Sequence, residues 1–185
     1  MSDSAQLLAM EEGDGGETLP TDEHHQYLTF YLAGEIYGVD ILQVEEIRGW
    51  NGATRVPNQP PHVKGVVNLR GAIVPVLDLR DRFSLARQDY TEDTVVIVLR
   101  FEEPGCGASR VMGVIVDAVS DVVDATLHDV SSTPDFGARL DTRFICGLAT
   151  VADSMIMLLN VGTLLSAELS AASGGDSVNI SGGLK

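Results

Sequence analysis

The chain has 185 residues, 44% of them hydrophobic, and sets 27 Asp and Glu against 12 Lys and Arg for a formal net charge of -15. That length and apolar fraction support one globular domain or two small packed ones. A surface this acidic repels phosphate backbones and anionic lipid, and apolar runs such as 111–116 and 155–159 fall far short of the ~20 residues that span a bilayer.

In chain order, residues 1–25 are acidic, contain glycine and lack a basic n-region, so they read as a flexible tail rather than a secretion signal. Leu28, Phe30 and Leu32 alternate with Thr29 and Tyr31 and are followed by Gly34-Glu35 and then 36–39, a hairpin pattern. A short helix is expected over 41–47, with Asp40 as N-cap and Val44 and Ile47 on its core face. Residues 66–69 and 72–77 flank Arg70-Gly71 as a second hairpin. Pro75 lacks an N–H, which predicts an edge strand or a bulge there. A short helix follows over 79–83. Residues 94–101 and 110–119, rich in Val and Ile, flank the turn 104–107; 145–151 and 154–159 pair around Ala152-Asp153. A helix over 161–169 ends the apolar region, and the Ser- and Gly-rich 170–185 reads as a second loose end.

The chain repeats itself. Residues 65–69 and 74–79 match 147–151 and 156–161 at one offset, that from Gly65 to Gly147. Gly38, Val44 and Ile47 match Gly113, Val119 and Val122 at a second offset, that from Gly38 to Gly113. Two copies are too few for a solenoid. They predict two related small β-barrels that share one core, since each half alone is near the size where burial becomes marginal.

Chemistry is sparse. His24-His25 follows Asp22-Glu23 but lacks further ligands at metal-binding spacing, and His62 and His128 stand alone. There is no G-x-S-x-G elbow, Walker loop or G-x-G-x-x-G. Asp78, Asp81, Asp117, Asp121 and Asp124 read as caps and solvated turns. Cys106 and Cys146 have no CxxC spacing and read as reduced thiols of a cytoplasmic protein. No metal or cofactor is expected. A small acidic β-barrel hydrolase is the alternative from another class.

The runs 37–41, 44–49, 64–71, 73–80, 94–98 and 113–122, in this order, resemble the CheW family of chemotaxis coupling proteins, with a likeness extending from Tyr27 to Leu165. The resemblance implies a 26–169 domain of two packed SH3-like five-stranded barrels, mainly β with a few short helices. It implies a non-catalytic adaptor that joins chemoreceptors to the histidine kinase CheA, cytoplasmic and recruited to membrane-associated receptor arrays. A paralogue serving another chemosensory pathway, such as surface motility, is the nearest variant. By resemblance, a receptor-binding groove takes in Leu28, Ile41, Val44, Glu46, Ile47, Arg70, Val95, Gly113 and Val122. Lys64 and Ile73 are assigned to a kinase contact, and Asp135 and Phe136 to a second one, near which family members can carry an arginine where this chain has Ser131.

Overall fold

The computed structural model describes residues 24–103, 107–126, 129–131 and 142–173. Cys106, His128, Asp135 and Phe136, and the expectations attached to them, lie outside these residues. The strands are β1 (His25–Leu32), β2 (Glu35–Asp40), β3 (Val44–Gly49), β4 (Val63–Leu69), β5 (Ala72–Asp78), β6 (Val95–Glu102), β7 (Ser109–Val116), β8 (Ala118–Ala125), β9 (Val130–Ser131), β10 (Ile145–Val151) and β11 (Ser154–Leu159). Helix α1 is Leu79–Arg82 and α2 is Val161–Ser173. The fold is mainly β, as expected, and α2 continues past Leu169, where the sequence pattern ended.

Two sheets form, ordered β8-β1-β2-β11-β10-β9 and β3-β6-β7-β5-β4. Each curls closed through the segment that follows its outer strand. In the first, β9 follows β8 and pairs with β10 through Leu148–Ser131 and Ala149–Val130. In the second, Thr54, after β3, exchanges two 2.9 Å backbone hydrogen bonds with Val66 on β4. The repeat is thereby visible as two barrels of like order, one sheet of six strands counting the short β9 and one of five, but the barrels are not sequential halves of the chain. The first barrel inserts β11 beside β2 through a parallel ladder, Met157–Tyr37 and Leu158–Gly38. The second inserts β5 beside β7 through Val76–Gly113, Leu77–Val114 and Asp78–Ile115. Each barrel is thus completed by strands from both copies of the repeat.

Two sequence expectations need correction. The helix over 41–47 is a 3-10 turn, Ile41–Gln43, capped by the Asp40 carboxylate, which accepts from Leu42 N at 2.8 Å, and then strand β3. Val44 and Ile47 are β-branched and pair with Leu99 and Ile97 of β6, and that ladder outweighs the weak helical pattern. Strand β5, which carries Pro75, is interior rather than an edge. Its ladder to β7 starts at Val76, one residue beyond Pro75, so the missing N–H falls where that side of β5 is still unpaired.

Alternation along the strands builds three apolar clusters. Val76, Val96, Val98 and Ile115 fill one barrel; Ala125, Ala149, Ile156 and Leu158 fill the other. The opposite faces meet in the largest cluster, with Leu28, Phe30, Leu32, Tyr37, Ile97, Leu99, Phe101 and Val114 between the barrels. Rings of Phe30, Tyr37, Phe83 and Phe144 follow one another through it at centroid spacings of 6.0, 6.0 and 6.2 Å. Helix α2 seals it with Val161, Leu164 and Leu165. Burial of each such large side chain stabilises the fold by about 1.5–3 kcal/mol, which is why neither barrel needs a large interior of its own.

Candidate partner-binding surfaces

The shared core reaches solvent where the two outer strands run, β3 of one sheet and β8 of the other. On β3, Val44 is half-buried against the shared cluster, and Ile47, next on the same side, is 42% exposed. On β8, Val119 is half-buried against the same cluster, and Val122 is 43% exposed. The two exposed residues are repeat equivalents. Their cross-strand partners, Ile97 and Leu28, are both buried in the shared core. A spacing of three puts two residues on one face of a strand only if a bulge intervenes. The register shifts between Val44 and Glu46 on β3, and between Leu28 and Phe30 in the β1–β8 ladder, supply it on both sides.

The other residues assigned to the groove divide. Ile41 and Val95 are half-buried at the rim of the shared cluster. Leu28, at 3% exposure, is core, and its side chain has no surface to offer a partner. Gly113 is likewise buried: a Cβ there would lie 2.8 Å from Val96 Cγ1 and 3.1 Å from Val76 Cγ2. These two shape the sheets that carry the surface.

Glu46 and Arg70 come together although they belong to different ends of the second sheet. Arg70 stands in the β4–β5 turn at φ 50°, a left-handed conformation followed by Gly71 at φ 91°. The Asn68 side chain accepts from Gly71 N at 2.8 Å and fixes the turn. The guanidinium reaches Glu46 Oε2 at 3.2 Å, with its side chain 86% exposed. An ion pair so open adds ~0–1 kcal/mol to stability, which leaves both charges available for recognition.

The two residues assigned to the kinase contact, Lys64 and Ile73, sit toward opposite ends of the β4–β5 hairpin. Ile73 pairs with Asn68 beside the tip and is 64% exposed. Lys64 lies at the base, where its amine contacts Asp81 at 2.5 Å and Asp78 at 3.8 Å. Burial alone would raise the Asp81 carboxyl; hydrogen bonds and charge from Lys64 and Arg87 outweigh it and hold the group below its ordinary range. Sequence reasoning missed a counterpart of Ile73. Met155 occupies the same repeat position on the β10–β11 hairpin and is 60% exposed; the Gly65-to-Gly147 offset alone would have found it.

The acidic residues set aside as caps and turns have such partners. Asp78 caps α1, accepting from Arg80 N at 2.9 Å, and Asp117 binds the Arg80 guanidinium at 2.5 Å. Among the described residues no group of three or more His, Cys, Asp and Glu could hold a metal ion, and no helix is long and apolar enough to cross a membrane. Cys146 is a free thiol.

The most exposed large apolar side chains of these two interlocked barrels are Leu42 in the 3-10 turn and Ile73 and Met155 on the β4–β5 and β10–β11 hairpins, with Ile47 and Val122 on the outer strands. A family model, the CheW-like domain, matches residues 26–169, and the chain belongs to the CheW family. It is 44% identical over 143 residues to the chemotaxis protein CheW of Klebsiella aerogenes, covering 77% of this chain and 82% of that one. To the chemotaxis protein CheW of Rhizobium meliloti it is 33% identical over 148 residues, covering 80% and 92%. The crystal structure of scaffolding protein TtCheW from Thermoanaerobacter tengcongensis is similar with a TM-score of 0.68 at 32% identity, covering 77% of this chain and 92% of that one.

Proposed function

We propose that this chain is a non-catalytic chemotaxis adaptor that couples transmembrane chemoreceptors to the histidine kinase CheA and is recruited from the cytoplasm to receptor arrays. The observation that carries the reading is the pair Ile47 and Val122, exposed at equivalent places on the outer strands where the shared core meets solvent, in a member of the CheW family. An apolar strip of this kind suits the apolar face of a receptor helix. The adjacent Glu46–Arg70 pair supplies charges that fix register and select the partner. Ile41, Val44 and Val95 support the strip from beneath.

On the kinase side, Ile73 at the β4–β5 tip is the apolar contact, and Asp135 with Phe136 form a second contact by family resemblance. The test is a pull-down of the purified chain with CheA and a receptor cytoplasmic fragment, followed by receptor-controlled kinase autophosphorylation. Wild type joins both partners and Ile47→Lys loses the receptor while keeping the kinase. A wild-type chain that binds neither overturns the reading.

A further inference from the structure

The chain between β3 and β4 holds the sequence's one Asn-Gly pair, Asn51-Gly52. A backbone nitrogen attacks the side-chain amide of the asparagine before it most readily when the attacking residue has no Cβ to obstruct the approach. Here the approach is open. Both residues are exposed and lie outside every strand and helix. Gly52 sits at φ 90°, and a Cβ built there would have nothing within 4 Å. Two backbone hydrogen bonds of 2.9 Å, Trp50 N to Thr94 O and Thr54 N to Val66 O, bracket Gly52, and its own N–H has no acceptor among the described residues. The Asn51 side chain makes one long contact, from Nδ2 to Gly49 O at 3.4 Å, which leaves its carbonyl unengaged. Exposure alone does not single out Asn51, because Asn58, Asn68 and Asn160 are exposed too. Those three precede Gln59, Leu69 and Val161. Two of them are also held, Asn68 Oδ1 accepting from Gly71 N at 2.8 Å and Asn160 Oδ1 from Thr163 N at 2.9 Å.

We propose that Asn51 is a site of spontaneous covalent modification, converted by its own neighbour to isoaspartate, and that the product loosens the closure of the second barrel. The Gly52 nitrogen bonds to Asn51 Cγ and gives up its proton, the Cγ–Nδ2 bond breaks, and ammonia departs with that proton. The cyclic imide then takes up one water and opens at either carbonyl, to aspartate or to isoaspartate, with no oxidation or reduction. Either product gains a negative charge, and isoaspartate also routes the main chain through Cβ, which lengthens it by an atom. That atom falls between the two pinned ends of a short span, Trp50 on Thr94 and Thr54 on Val66. Trp50 is packed against the interior of the second barrel, whereas Thr54 is exposed, so the added length is absorbed at the Thr54–Val66 pair. The proposal does not depend on the receptor or kinase contacts.

The test keeps the full chain in neutral buffer at physiological temperature and samples it over time. Peptide mapping by mass spectrometry, with separation of aspartate from isoaspartate, reads each asparagine, and hydrogen exchange reads the Thr54 amide. Asn51 is expected to convert roughly tenfold or more faster than Asn58, Asn68 or Asn160, whose following residues carry side chains across the attacking nitrogen. Isoaspartate appears at position 51, and exchange at Thr54 accelerates in step with it. Asn51→Ser, an exposed substitution that leaves the fold intact, shows neither the new mass nor any drift in Thr54 exchange over the same period. Equal rates at the four asparagines, or aspartate at position 51 without isoaspartate, overturn the proposal, the second in favour of direct hydrolysis. Isoaspartate accompanied by unchanged Thr54 exchange also overturns it, since the product would then leave the barrel's closure untouched.

Discussion

Gly38 and Gly113 stand at the same step of the two parallel ladders, opposite Leu158 and Val76. A Cβ on Gly38 would meet Leu158 Cδ2 at 3.0 Å and Ile156 Cγ2 at 3.1 Å; on Gly113 it would meet Val96 Cγ1 at 2.8 Å. Each junction where one copy of the repeat enters the other's barrel is therefore closed by a residue without a side chain. Gly113→Ala should destabilise the protein by about 1–3 kcal/mol, and Gly38→Ala by less. Valine is stiff at χ1, whereas the flexible end of Leu158 can give way. Urea denaturation of both variants checks the order; equal midpoints would refute it.

Charge placed on the outer strands separates binding from folding. Ile47→Lys and Val122→Lys should shift thermal midpoints by little, as exposed substitutions do, while weakening capture of a receptor cytoplasmic fragment. Val44→Lys should lower stability as well, because Val44 packs against the shared core. Thermal melts beside pull-downs distinguish the cases. Unchanged capture by both exposed variants would remove the receptor from this surface.

Ile73→Glu should reduce CheA binding with the melt unchanged, given its 64% exposure. Lys64→Ala should instead lower stability, because it strips Asp81 of its 2.5 Å partner. Isothermal titration against CheA reads the first effect and denaturation the second. Retained affinity in Ile73→Glu would move the kinase contact off this hairpin.

Asp81 makes part of the stability depend on pH. Its folded carboxyl lies below its unfolded value, which is ~3.9. The contribution is therefore present above that value and is lost as pH falls through the folded one. Asp81→Asn should show its largest deficit at neutral pH and converge on wild type only as pH falls through the folded value in acid-titrated melts. A constant deficit across that range would mean that charge is not the cause.

Arg70→Ala should cost at most ~1 kcal/mol, since its guanidinium is almost wholly in solvent. A loss of receptor coupling larger than the stability change, measured in the kinase assay, would then report recognition by the Glu46–Arg70 pair.

The hairpins and the twofold repeat were legible because alternation and turn residues are local signals. Strand β3 was not. Ile41, Val44 and Ile47 recur every third residue after a capping Asp40, the spacing of a helix face. In the fold, a bulge at Glu45 turns Val44 and Ile47 to one side of a strand, and no local pattern announces a bulge. The exchange of β5 and β11 was equally hidden, since equivalent strands in two copies have the same pattern and pairing with either satisfies it. The ion pairs of Lys64 were hidden as well, because its partners, Asp78 and Asp81, arrive through the β4–β5 turn and α1. Leu28 and Gly113 matched family positions, and only burial shows which side chains reach the surface.

The crossed strands also impose an order on synthesis. The barrel of β3, β6, β7, β5 and β4 has all its strands once Val116 has left the ribosome, whereas the other waits for β11. Until then β2 presents an unpaired edge where β11 will lie, and Gly38 leaves that edge without a side chain to guard it. The nascent chain thus holds every strand of one barrel well before the other, and β2 lacks its parallel neighbour until residues 154–159 arrive.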